Sequence, residues 1–514
     1  MKYPIGIQNF EKIRTDGYVY VDKTALIYDL AHNGSYYFLS RPRRFGKSLL
    51  LSTMAAYFSG RKDLFKGLAM ERLEKDWTVY PVLHLDLNTG RYDSEESLYH
   101  VIDDFLSKLE AVYGAFHSEV TLELRFKGLI ERIAKKEGQR VVILVDEYDK
   151  PMLQAIDDDG LQEKFRNSLK AFYSVLKTQD EFIRFAFLTG VTKFGKVSVF
   201  SDLNNLVDIS MDARYQTICG ITGGELHRYF DEGIRHVVET NGLNDEDACR
   251  ELEKRYDGYH FRQNGMGVYN PFSLLNTFAT GEFGSYWFET GTPTFLVRLM
   301  QRDNFYLPEL TDQQVSGDFL NSIDSVDRSP IPVMYQSGYL TIKDYDSRFK
   351  FYTLGFPNEE VEKGFTDFLL PYYTHINKGE GPMFIGNFVR ALEQGRPEDF
   401  MRQMQTMFYD TDYKIVGDAE VYFQNAFYLI TKMLGFYTEV ERTMANGRLD
   451  MVVKTKEYIY IFEFKYDKSA DAALQQIDEK GYARPFAGDS RRIYKIGVNF
   501  SRTDRCIDGW KIEQ

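Results

Sequence analysis

The sequence predicts an α/β multidomain protein: a P-loop doubly wound parallel sheet, a helical lid, a winged-helix-like middle and a closing α/β unit. Three observations predict it. Arg41-Pro42-Arg43-Arg44-Phe45-Gly46-Lys47-Ser48 follows an apolar run and opens a helical one. A second apolar run, Val141-Val142-Ile143-Leu144-Val145, ends in Asp146-Glu147. Between and after them, strand-like and helix-like patterns alternate, as in parallel sheets whose connections are helices.

The bulk numbers set limits. A chain of 514 residues exceeds what one core serves and fits roughly three or four domains. Hydrophobic residues at 43% and charged residues at 27% suit a globular protein. A net charge of −13 excludes coating of nucleic acid by bulk electrostatics. The last hundred residues, roughly neutral, are the better place for a polyanion. Cys219, Cys249 and Cys506 lie too far apart to suggest a metal or disulfide framework. With neither a signal-like start nor a bilayer-length apolar run, a cytoplasmic protein without membrane partners is expected.

In chain order, residues 36–39 read as a buried strand, and Ser48-Leu49-Leu50-Leu51 begins a helix. Residues 81–87 alternate as a strand, while 97–112 and 121–137 carry helical periodicity. The β-branched run 141–145 fits a strand buried on both faces. A helix over 161–177 and strands over 182–188 and 205–211 complete the first unit. Helices then dominate to about residue 325. Residues 332–354 read as a helix end and a hairpin, turning at Asp344-Tyr345-Asp346-Ser347. The expected domains are 1–222, a P-loop core; 223–325, a lid; 326–410, winged-helix-like plus a helical linker; and 411–514, the last α/β unit.

A P-loop wraps phosphates with backbone N–H groups at a helix N-terminus. Arg43, Arg44, Phe45, Gly46, Lys47 and Ser48 form that loop here, with Arg41 where the first glycine usually stands. Lys47 reaches the β- and γ-phosphates, and the Ser48 hydroxyl ligates Mg²⁺. Asp146, at a strand end, completes the Mg²⁺ site, and Glu147 orients or deprotonates water. Thr189, ending the next strand, is a candidate γ-phosphate sensor. Arg43 and Arg44 stand to touch phosphate or to act across a subunit interface. ATP with Mg²⁺ is the expected cofactor pair. The Tyr256, Tyr259 and Phe261 rings could stack bases or pack a lid, and His260 among them reads as structural.

Near the C-terminus, Gly447-Arg448-Leu449-Asp450-Met451-Val452-Val453 reads as a strand. Tyr458 to Lys465 follows as its hairpin partner. Alternation sets Ile459, Ile461, Glu463 and Lys465 on one face. A carboxylate and an ammonium on an otherwise apolar face are costly to bury without purpose. Asp450 and Glu463 could share Mg²⁺ with phosphate oxygens and water, and Lys465 could position the attacking water. An ion-paired surface hairpin would give the same pattern.

Pro4-Ile5-Gly6, Tyr20-Val21-Asp22-Lys23-Thr24, the loop 41–48 and Val145-Asp146-Glu147-Tyr148-Asp149-Lys150-Pro151 together resemble the AAA-ATPase-like proteins. These carry a C-terminal PD-(D/E)XK nuclease-superfamily domain. The likeness continues through Tyr256-Asp257-Gly258-Tyr259, Tyr269-Asn270-Pro271, Phe356-Pro357-Asn358-Glu359 and the tail, and Arg41 is usual in the group. It implies an ASCE-type ATPase core with Val21 and Asp22 near the adenine. It also implies a restriction-endonuclease-like last domain, with Glu420 upstream and Gln476 and Tyr482 downstream as auxiliary residues. The expected function is ATP binding and hydrolysis coupled to a metal-dependent nuclease acting on DNA or RNA, with homo-oligomerisation open. The alternative is an ATP-driven switch whose tail binds a partner or nucleic acid without cutting.

Overall fold

A computed structural model of the chain describes all residues except 194–204, 290–295, 298, 301–304, 312, 321–328, 375, 377, 378, 410–418, 436, 446, 447 and 505. The side chains of 409, 419, 420, 441–445 and 448–450 also fall outside the description. The chain forms two compact units, Met1–Leu296 with Thr311–Glu362, and Val297–Leu310 with Lys363–Gln514.

In the first unit, β1 (Tyr36–Ser40), β2 (Val82–Asp86), β3 (Val141–Asp146), β4 (Ile183–Gly190) and β5 (Val207–Asp208) build one parallel sheet. Its order is β2-β3-β4-β1-β5. β4 therefore lies between the strand leading into the P-loop and the strand ending in Asp146, the arrangement expected of an ASCE-type core. β3 is buried along its whole length, as its unbroken apolar run requires. Helices Glu95–Tyr113, Leu122–Glu137 and Asp159–Thr178 cover one face. Leu98, Ile102 and Leu106, one turn apart, meet Phe126, Ile130, Leu169 and Phe172 over Ile143 and Val145. The strand expected over 205–211 contracts to the two residues of β5.

Among the described residues of the expected lid, the helices Gly223–Tyr229, Asp231–Asn241, Asp245–Tyr256 and Pro271–Thr280 pack together. Thr222 and Glu225 close a capping box on the first, and Asn270 caps the last through the N–H groups of Phe272 and Ser273. Leu226, Phe230, Val237, Leu252 and Phe278 form their core, and Tyr3, Ile5, Val19 and Val21 pack against it.

The winged-helix-like part is the helix Ile331–Ser337 followed by a small antiparallel sheet. β6 (Gln314–Ser316), β7 (Thr341–Asp346) and β8 (Phe351–Gly355) lie in the order β6-β8-β7. The hairpin turns later than its composition suggested. Asp344, Tyr345 and Asp346 belong to β7, paired with Thr353, Tyr352 and Phe351. The turn falls at 347–350, where the Asp346 carboxylate accepts from the N–H groups of Arg348 and Phe349 and Lys350 takes φ 58°.

In the second unit, β9 (Glu439–Ala445), β10 (Arg448–Lys454), β11 (Tyr458–Tyr466), β12 (Arg492–Ser501) and β13 (Cys506–Glu513) form a mixed sheet ordered β13-β12-β11-β10-β9. β11 and β12 are parallel and are joined through the helix Ala470–Lys480. Phe462 and Phe464 on β11 meet Phe400 and Phe427 at ring separations of 5.6 and 4.3 Å. These two rings come from the helices Pro397–Tyr409 and Ala419–Gly435. Among the described residues, no helix is long and apolar enough to cross a membrane.

Candidate functional site

β1 ends at Ser40, and the loop beyond it turns into the helix Lys47–Phe58. Two loop residues, Arg44 and Gly46, adopt φ of 67° and 92°. Glycine does so freely, whereas the Arg44 backbone is held there against its preference. The Arg44 guanidinium lies 4.9 Å from the centre of the Phe272 ring. Lys47 is buried. Its ammonium donates to the carbonyls of Arg41 and Pro42 at 3.0 and 3.2 Å and lies 3.3 Å from Glu147 Oε1.

Arg41 explains its own departure from glycine. Its guanidinium donates to the carbonyls of Ser40 and Ser210, each at 2.8 Å, and stacks 4.0 Å from the Phe261 ring centre. The side chain thus leaves the face that Lys47 occupies and ties the loop to the lid. Burial pulls its pKa below the usual arginine range.

At the end of β3, Asp146 is buried and accepts from the Thr189 hydroxyl at 2.8 Å. Thr189 therefore touches the Asp146 carboxylate directly, made possible by β4 lying beside β3. Glu147 sits at φ 53°, so the turn that carries it is a strained one for a residue with a Cβ. Asp149 braces that turn. Fully buried, it accepts from the N–H groups of Val191 and Thr192 at 3.1 and 2.6 Å and from the Thr192 hydroxyl at 2.5 Å. Burial, ahead of repulsion from Glu147, pushes its carboxyl pKa up. Gly190 is needed there too: a Cβ would come within 2.5 Å of Asp149 Oδ1 and 2.6 Å of the Tyr148 ring. Neither Asp149 nor Gly190 was singled out by chemistry, although Asp149 lies inside the 145–151 motif.

A cavity of about 340 Å³ opens beside Lys47. Arg43, Arg44, Lys47, Lys150 and Glu147 are its charged lining, four cations to one carboxylate in a chain that is acidic overall. Gly46 and Ser48 line it as well. Its apolar lining includes Ile5, Ile7, Pro271, Phe272, Leu275 and Trp287. The Trp287 indole N–H donates to the Arg43 carbonyl at 2.9 Å.

Several expectations need correcting here. Val21 and Asp22 do not line this cavity. Val21 packs into the lid core. Asp22 spends both carboxylate oxygens on local donors: the Thr24 N–H and hydroxyl at 2.9 and 2.6 Å, and the Ala69 N–H at 2.8 Å. Residues 4–8 line the cavity instead, and no local motif marks them beyond Pro4-Ile5-Gly6. Phe45 turns its ring away from the cavity, edge-on to Tyr259 at 4.7 Å and Phe261 at 5.6 Å. Tyr256 and Tyr259 are buried, so that aromatic cluster is lid packing rather than a platform for bases. His260 is structural, with its N–H on Thr341 and its ring on the Gly265 carbonyl.

In the second unit, Glu463 is fully buried and Lys465 nearly so. The Lys465 ammonium donates to Glu463 Oε1 at 2.6 Å and to Gln476 Oε1 at 2.5 Å. Gln476 arrives on the helix Ala470–Lys480, whose Leu474 and Ile477 cover Ile459 and Ile461 on the same strand face. That helix lies so near β12 that a Cβ on Gly497 would meet the Ala470 carbonyl at 2.3 Å, and Gly497 is the register neighbour of Glu463. Tyr482 packs against the same apolar cluster. The backbone register sets Asp450 opposite Glu463. The side chains of Asp450 and Glu420 lie outside the described residues.

Fold and residue placement define a P-loop ATPase-like core followed by a nuclease-like α/β domain. Residues 4–200 match the family model described as Predicted AAA-ATPase, and residues 418–510 match that of the PD-(D/E)XK nuclease superfamily. An uncharacterized protein in the vnfD 5′ region of Azotobacter chroococcum mcd 1 is 37% identical over 532 residues, covering 100% of this chain and 99% of that one. The chain belongs to this family of AAA-ATPase-like proteins with a C-terminal PD-(D/E)XK domain. A solved structure of the Aeropyrum pernix ORC2 protein, in ADPNP and ADP complexes, aligns over 65% of this chain and 88% of its own. With 9% identity and a TM-score of 0.26, that likeness is too slight to assign a function.

Proposed function

We propose that the protein binds Mg²⁺·ATP in the cavity beside Lys47 and hydrolyses it, and that nucleotide turnover governs a metal-dependent nuclease in the C-terminal domain. The observation that carries the first half is the meeting of Lys47 with Glu147 at 3.3 Å, from two motifs a hundred residues apart in sequence. Lys47 would exchange its loop carbonyls for phosphate oxygens, and Glu147, freed from Lys47, would orient the attacking water. Ser48 and Asp146 are the fitting Mg²⁺ ligands: a hydroxyl at the helix start and a buried carboxylate with Thr189 on one oxygen. The apolar lining, which includes Ile5, Phe272 and Leu275, would receive the base.

For the second half, the support is a buried carboxylate–ammonium pair on β11 with Asp450 in register beside it. Bound there, a divalent ion would supply Lewis-acid activation of a phosphodiester. Lys465, held by Gln476, would keep an ammonium where negative charge develops. The expected substrate is DNA or RNA, contacted locally given the chain's net charge of −13.

Titration calorimetry with ATP and ADP in Mg²⁺ tests the first half, with Lys47→Ala as the control that should bind neither. Incubation with DNA and RNA substrates, with and without ATP, tests the second. Cleavage that disappears in Glu463→Ala supports it. Uncut substrates throughout, with ATP-dependent changes in assembly that survive Glu463→Ala, would instead favour a switch with a non-cutting tail.

A further inference from the structure

The cavity has a cation that neither phosphate motif accounts for. Lys150 lines the cavity three residues beyond Glu147, and its N–H closes the turn onto the Glu147 carbonyl at 3.0 Å. Its ammonium donates to Asn88 Oδ1 at 2.6 Å. Among the described residues this is the ammonium's one hydrogen bond, so two of its three donors remain for a ligand. Asn88 is itself fixed, its N–H donating to Asp86 Oδ1 at 2.8 Å in the short turn after β2. The segment it belongs to is clamped a second time, because the Tyr92 N–H donates to Gln154 Oε1 at 2.7 Å. Residues 88–92 are thus held at both ends by the helix Lys150–Gln154.

We propose that Lys150 is the residue that reads the terminal phosphate of a bound nucleoside triphosphate, and that Asn88 is its positioning residue. This rests on the assignment of the cavity to a nucleotide. Lys47 reaches the phosphates from the loop, whereas Lys150 belongs to the same turn as Glu147, the residue that would orient the water. The phosphoryl group nearest the attacking water is the γ-phosphate, so an ammonium on the Glu147 side meets the group that a diphosphate lacks. Half-burial and the nearby Arg43 depress the Lys150 pKa, the condition of a cation that gains from a bound anion. The two remaining donors meet the γ-phosphate while the third stays on Asn88, so the doubly clamped segment 88–92 holds the ammonium in place.

The test compares ADP with a non-hydrolysable ATP analogue, both with Mg²⁺, on the full chain. A charge-assisted hydrogen bond to phosphate predicts that Lys150→Met weakens the analogue by about tenfold or more while ADP affinity stays within about twofold. Asn88→Ala should lower the analogue-to-ADP affinity ratio in the same direction and by less, and Lys150→Arg should recover part of it. Thermal melts of each variant in the absence of nucleotide separate unfolding from lost recognition, and Lys150→Gln gives a second neutral variant should Met unfold the chain. An unchanged ratio in folded Lys150→Met and Lys150→Gln overturns the proposal, as does an equal loss for both nucleotides. Wild-type protein that binds neither nucleotide would overturn the nucleotide assignment and this one with it.

Discussion

Trp287 bridges the P-loop and Glu360: its indole N–H donates to the Arg43 carbonyl at 2.9 Å, and its backbone N–H donates to Glu360 at 2.8 Å. The same carboxylate accepts the Ser273 hydroxyl at 2.8 Å. The lid position is therefore set by a short polar chain ending on the loop that faces the cavity. Trp287→Phe keeps most of the apolar surface and deletes the indole donor. A neutral hydrogen bond contributes about 1 kcal/mol net, so nucleotide affinity should fall by about fivefold. Calorimetric titration reads it, and an unchanged affinity would mean that the Arg43 carbonyl needs no anchor.

Glu147 occupies a strained turn and faces Lys47. Glu147→Gln keeps the shape, removes the base and releases the Lys47 ammonium from an ion pair. ATP binding should persist or tighten, while phosphate release falls by about a hundredfold or more. A colorimetric phosphate assay beside a binding titration separates the two. If hydrolysis continues at the wild-type rate, another group prepares the water.

These residues were legible because each motif is continuous in the chain and ends a strand whose apolar run is unmistakable. The cavity's other walls were not. Residues 4–8, Phe272, Trp287 and Tyr339 come to line the same cavity as Lys47 only through tertiary packing. Gly338, for instance, lies so near the loop that a Cβ would meet Pro42 at 2.7 Å. Such contacts leave no periodic trace. Why Arg41 stands where a glycine is usual was not legible either, because its partners, Ser210 and Phe261, are far along the chain. The hairpin turn was misplaced for a local reason. The exposed edge strand β7 presents Asp344 and Asp346 to water, so a strand reads as a turn, while the apolar Phe349 inside the true turn reads as strand.

Glu360 gives the first unit a pH signature. Burial, ahead of the opposing Ser273 hydrogen bond, raises its pKa from the ordinary 4.5 to about 7. Between those values the folded state holds a proton that the unfolded state has released. Stability from this group is therefore complete below about pH 4.5 and is lost as pH rises through about 7, by roughly 3 kcal/mol in all. Glu360→Gln removes the titration and keeps a carbonyl to accept from Trp287. Denaturant melts at about pH 5 and about pH 8.5 should show a smaller difference in the variant than in the wild type. Equal differences would mean that Glu360 stays ionised throughout.

Lys465 and Glu463 set the C-terminal domain a sharper test. Their 2.6 Å contact is buried, with Glu463 fully removed from solvent. Replacing one member of such a pair strands a charge and typically costs about 3 kcal/mol or more, whereas replacing both is often near neutral. Lys465→Met should therefore destabilise this domain markedly, and adding Glu463→Gln should recover most of the loss. A purely structural pair predicts no more than that double-mutant cycle. A metal-binding pair predicts one thing further: Mg²⁺ or Mn²⁺ should raise the melting temperature of the wild type and of Lys465→Met, because a cation replaces the missing ammonium beside Glu463. Neither ion should help Glu463→Gln. Scanning calorimetry across a metal titration reads all four proteins, and identical responses to metal in the presence and absence of the Glu463 carboxylate would remove this strand from the candidate metal sites.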